Sequence, residues 1–97
     1  MKAIFIVYDE ARGDEAVEIL EKYGQRGFTR WEDISGRGSA DGIPHFGNHA
    51  WPAMNHAILT FVDDSIVGGI LDDIKVKSEE SKDLGLRAFV WQLSDIF

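Results

Sequence analysis

All three histidines of the chain fall close together, at His45, His49 and His56. A neutral imidazole ligates divalent metals, and Asp41 stands near enough in sequence to add a carboxylate. His45 and His49 have the i, i+4 spacing that places two ligands on one helix face, but Pro44 and Gly47 in the same run work against a helix. The chain has no cysteine to complete a ligand set, so His45 and His49 are a metal candidate that falls short of a motif. The competing reading is hydrogen bonding and packing at a subunit junction. A second candidate is Gly36-Arg37-Gly38. Its glycines let backbone approach a ligand closely, and the Arg37 fork can grip a carboxylate or a phosphate. An ordinary turn carrying a solvated arginine would read the same way.

These residues lie in or beside one stretch, Ser35 to Asn55, SGRGSADGIPHFGNHAWPAMN. Four glycines and two prolines interrupt it, and a loop of about twenty residues in so small a domain is usually either functional or disordered. Disordered segments are poor in aromatics, whereas this one holds Phe46 and Trp51. Both are therefore expected to anchor the loop against protein surface, with His45 and His49 held beside that contact.

The elements on either side must position the loop. Lys2 to Tyr8 is apolar at nearly every position and suits a strand buried on both faces. Asp14 is a plausible N-cap for a helix whose stripe is Ala16, Ile19, Leu20 and Tyr23, with Gly24 as its left-handed terminus. Phe28 to Ile34 carries Arg30, Glu32 and Asp33 and belongs at a sheet edge. His56 to Val62 again asks for a central place. A second helix starts at Asp63 or Asp64 and buries Ile66, Val67, Ile70, Leu71 and Ile74; Gly68 and Gly69 inside it suggest close helix packing. Ser78 to Gly85 reads as a polar connection, and Arg87 to Leu93 as a fourth strand. The order βαββαβ predicts a ferredoxin-like α+β sandwich with both helices on one face of a four-stranded antiparallel sheet, strands one and three central, and a core around Phe5, Leu59 and Phe61. Strand residues are apolar on both faces, so the face without helices is expected to be covered by other subunits.

Composition sets bounds. Residues 1–97 allow one domain with one core. No apolar run is long enough to span a bilayer, so no membrane insertion is expected. The absence of cysteine fits a cytoplasmic location. A net charge of −7 repels phosphate backbones and argues against nucleic acid as a partner. Neither a nucleophile elbow, nor a zinc-protease helix, nor a P-loop is present, and the chain is expected not to be an enzyme.

The runs DEAVEILEKYGQRGFTRWEDISGRG, HAILTFVDDSIVGGILDDI and RAFVWQLSDI together resemble the PII nitrogen-regulatory superfamily over nearly the whole chain. The resemblance implies a homotrimer of ferredoxin-like subunits, effectors bound in clefts between neighbours, and a long loop that contacts a partner protein. On that pattern Gly36, Arg37, Gly38, Lys82 and Arg87 would bind a small anionic effector. The chain departs from the family where ATP is usually held. The loop before the last strand is SEESKDLG, acidic where a Gly- and Lys-rich segment is common, which leaves Lys82 and Arg87 and predicts weak ATP binding. No tyrosine lies between Gly36 and Met54 to be uridylylated. The leading reading is a non-catalytic sensor that signals through its loop. The alternative is a trimeric metal-binding or metal-tolerance protein of the CutA type using His45 and His49.

Overall fold

A computed structural model describes residues 1–12, 14–37, 40–50, 53–80 and 85–97. Four strands form one antiparallel sheet: β1 Lys2–Asp9, β2 Thr29–Ile34, β3 Asn55–Val62 and β4 Leu86–Gln92, in the spatial order β2-β3-β1-β4. The two apolar runs are the central strands, and β2, with its charged residues, is an edge. Two helices, α1 Glu15–Lys22 and α2 Asp64–Glu80, complete the βαββαβ order. This is the ferredoxin-like sandwich.

Pairing in register decides which side chains meet. Ile4 lies between Thr60 and Val90, Ile6 between Ile58 and Ala88, and Tyr8 between His56 and Leu86. Side chains alternate along a strand, so these residues share one face, and there Ile4, Ile6, Tyr8, Ile58 and Val62 pack with Leu20, Ile70 and Ile74 of the helices. The core is on this face and not around Phe5, Leu59 and Phe61, which lie on the other. Both faces of the strands are apolar, and polarity therefore held no signal for which one the helices would cover. On the uncovered face Phe5 and Leu59 are half-buried, while Trp31, Phe61, Phe89 and Trp91 are 45, 43, 50 and 48% exposed.

The helix ends follow their local chemistry. Gly24 closes α1 at φ +77°, and the Gln25 amide returns to the Leu20 carbonyl at 2.9 Å. Asp14 precedes α1 without a side-chain cap. Asp63 caps α2, its Oδ1 accepting the Ser65 amide at 2.9 Å, a bond that holds the carboxyl below its usual range. The helix runs to Glu80, so residues 78–80 belong to it and not to the connection expected from their polarity. The glycine pair divides. A Cβ on Gly69 would lie 2.5 Å from Tyr23 Cε1, which is the close helix contact anticipated, but nothing lies within 4 Å of one on Gly68. Tyr23 is fixed there because its hydroxyl donates to Asp73 Oδ2 at 3.1 Å, beside Lys22 Nζ at 2.8 Å. No helix among the described residues is long and apolar enough to cross a membrane.

Candidate functional site

The loop between β2 and β3 leaves and rejoins the sheet through a two-residue ladder. Gly36 and His45 exchange both backbone hydrogen bonds, at 2.8 and 2.7 Å. Space is tight at Gly36, since a Cβ would come 2.9 Å from Asn55 Nδ2 and that side chain would have to shift. Further out, the Gly47 amide donates to the Ala53 carbonyl at 3.0 Å, and the Glu10 amide donates to Met54 at 3.0 Å. The base of the loop is thereby stitched to itself and to the end of β1.

The ladder delivers the His45 side chain to a buried polar cluster. Its Nδ1 lies 2.5 Å from Asn55 Oδ1 and 3.3 Å from Asp9 Oδ2. His45, Asp9 and Asn55 are only 6, 3 and 8% exposed. A carboxylate only accepts, so the proton between these groups belongs on Nδ1. Asp9 is satisfied on its other oxygen by the Ala11 amide at 2.6 Å, and its own amide donates to Gly85 at 3.1 Å. A buried carboxylate needs such partners. The cluster therefore ties together the end of β1, the start of β3 and the loop.

Beside it opens a cavity of about 310 Å³. Phe5, Val7 and Phe89 of the uncovered sheet face form its apolar wall, and Gly36, Arg37, His45, Gly85 and Arg87 contribute the remainder. The Arg37 guanidinium stands 5.6 Å from the Phe46 ring centroid, and that of Arg87 5.9 Å from the Phe89 ring. Each cation lies over an aromatic face, which restricts it. Two arginines and an imidazole around an apolar hollow suit an oxyanion attached to, or accompanied by, a flat apolar group.

The structure thus brings together Gly36, Arg37 and Arg87 from the expected effector set; Gly38 and Lys82 lie outside the described residues. It separates the histidines. His49 is exposed. His56 lies on the helix-covered face, its ring edge-on to Tyr8 at 5.7 Å and its Nδ1 accepting the Asp33 amide at 3.2 Å across an irregularity in β2, where Asp33 has φ 55°. Among the described residues no group of three His, Cys, Asp or Glu could hold a metal ion. Phe46, expected as an anchor, is 40% exposed; the loop instead buries Pro44 and His45, whose polar contacts lie at the loop base. Trp51 lies outside the described residues. Sequence reading missed Asp9 and Asn55. Their one signal was position, a carboxylate ending an apolar strand and an amide opening another.

The architecture is that of a ferredoxin-like domain with a cavity at the base of its long loop. The family model for the nitrogen regulatory protein P-II matches residues 1–97, and the chain belongs to that family. No curated protein sequence matches it. Among solved structures it is similar to CPII, a nitrogen regulatory PII-like protein of Thiomonas intermedia, bound to ADP, AMP and bicarbonate. That likeness has a TM-score of 0.75 at 23% identity over 93% of this chain and 82% of that one. The apo form of CPII gives a TM-score of 0.71 at 20% identity, covering 93 and 85% of the two chains. A PII-like signalling protein of Thermus thermophilus gives 0.61 at 23% identity, covering 93 and 83%. At these identities the likeness establishes the fold.

Proposed function

We propose that this chain is a non-catalytic sensor that binds a small anionic effector in the cavity at its loop base and signals through the loop to a partner protein. The observation that carries the reading is the convergence of Arg37, Arg87 and His45 on one cavity next to the loop's closing ladder. An occupant there would touch the residues that fix where the loop leaves the sheet, so its presence would bias the loop's conformation. The cavity borders the uncovered, aromatic sheet face, which supports a homotrimer in which a neighbour covers that face and completes the cleft. The ligands of the similar CPII structure, ADP, AMP and bicarbonate, share the negative charge that Arg37 and Arg87 favour at the cavity. The metal-binding alternative gains no support from this arrangement, because His49 is exposed and does not line the cavity, and among the described residues no three His, Cys, Asp or Glu are grouped to hold an ion.

Calorimetry tests the reading with ADP and bicarbonate as separate titrants. Binding of at least one is expected, and Arg37→Ala should weaken it by about tenfold or more, the worth of one hydrogen bond to a charged group. A wild-type protein silent toward both would contradict the assignment.

A further inference from the structure

Arg37 is carried to the cavity by the ladder that closes the loop, and the other rail of that ladder is what supports it. Gly36 exchanges backbone hydrogen bonds with His45, and one residue further along on each side the Arg37 guanidinium lies over the Phe46 ring at 5.6 Å. Among the described residues no carboxylate pairs with Arg37. Where Arg37 stands therefore depends on where residues 45 and 46 are held. They are held at the imidazole, whose Nδ1 lies 3.3 Å from Asp9 Oδ2 and 2.5 Å from Asn55 Oδ1, with all three residues buried. Asp9 is the charged member of the three, and burial strengthens its pull on the Nδ1 hydrogen. The same residue fastens a second part of the lining. Its backbone amide donates to the Gly85 carbonyl at 3.1 Å, and Gly85 lines the cavity where the chain enters β4.

Resting on the effector-binding reading above, we propose that Asp9, which does not itself line the cavity, is a positioning residue of this site. Its carboxylate, acting through His45, sets where Arg37 meets the anion, and its amide fixes the Gly85 side relative to it. A guanidinium fork grips an oxyanion only within a narrow range of distance and angle. A loop base released from Asp9 would therefore lose what Arg37 contributes, with every lining residue still present. Asp9→Asn separates the two attachments. The backbone bond to Gly85 is unaffected, and the amide oxygen can still accept from the Ala11 amide, which meets Asp9 Oδ1 at 2.6 Å. The new NH2 group then faces the Nδ1 hydrogen of His45, donor against donor. The loop side loosens while the Gly85 side stays.

A double-mutant cycle read by calorimetry tests this, with ADP and bicarbonate titrated separately into wild type, Asp9→Asn, Arg37→Ala and the double variant. Arg37→Ala should weaken binding by about tenfold. Asp9→Asn should weaken it several-fold and by no more than Arg37→Ala does. The double variant should bind as Arg37→Ala binds, because a residue that acts by placing Arg37 then has nothing left to place. A merely structural role for Asp9 would make the two losses multiply. Asp9→Ser, whose hydroxyl can still accept from the Ala11 amide but is too short to hold His45, takes the same place in the cycle if Asp9→Asn does not fold. Losses that multiply, or an Asp9 variant that binds as wild type does, overturn the inference and leave the effector reading standing. If wild type binds neither titrant, or Arg37→Ala binds as wild type does, both fall.

Discussion

At the residue scale, the site depends on a few contacts between groups far apart in the chain. Asp9→Ala would remove an acceptor from both His45 Nδ1 and the Ala11 amide. Leaving buried donors unmatched costs about 1–3 kcal/mol, and chemical denaturation should read a loss in that range. Gly36→Ala should act on the same cluster from the other side. Its methyl group would displace Asn55 from the position where it meets His45, and the expected outcome is weaker effector binding with the sheet intact. The sequence marked His45 as chemically interesting but pointed to neither Asp9 nor Asn55, the groups its Nδ1 meets. Local spacing shows which residues can meet within an element. It carries no information about a strand end, a loop and a second strand meeting through the sheet register.

Elements were more legible, because each writes its periodicity locally. The four strands, the two helices, the Gly24 terminus and the edge position of β2 were all readable from apolar spacing and turn residues. The end of α2 was not, since residues 78–80 are polar whether helical or looped. The glycine pair in α2 separates into two predictions. Gly68 is exposed with open space around it, so Gly68→Ala should stabilise by up to about 1 kcal/mol through helix propensity. Gly69→Ala should destabilise, because its methyl group drives the Tyr23 ring off Asp73. Thermal melts of the two variants should move in opposite directions. The Asp73 carboxyl is held below its ordinary range, chiefly by the hydrogen bond from Lys22 and opposed by desolvation. A carboxylate depressed in the folded state stabilises fully above its unfolded value, near 4, and that contribution fades as pH falls through the lower folded value. Stability of the helix layer should therefore decline below about pH 4, and Asp73→Asn should be less stable at neutral pH while showing a shallower acid decline. The loop makes a prediction of its own. Amide exchange at Gly36 and His45 should be slow, since both hydrogens lie in the closing ladder, and rapid exchange at both would mean the loop base is not fastened.

For the whole molecule, the decisive feature is the uncovered sheet face. Each large side chain left there forgoes on the order of 2 kcal/mol of burial, and Trp31, Phe61, Phe89 and Trp91 are all roughly half exposed. The sequence showed that both faces were apolar and that other subunits should cover one of them. It could not say which face the helices take, and the expected core was accordingly placed on the wrong side. The P-II family assignment and the position of the cavity beside that face join the two halves of the account, since in the proposed trimer burying the face and completing the cleft would be one event. Native mass spectrometry of the full chain titrated with ADP reads both together. The account predicts a trimer that takes up as many as three ligands, and a monomer, or a trimer that binds none, would contradict it.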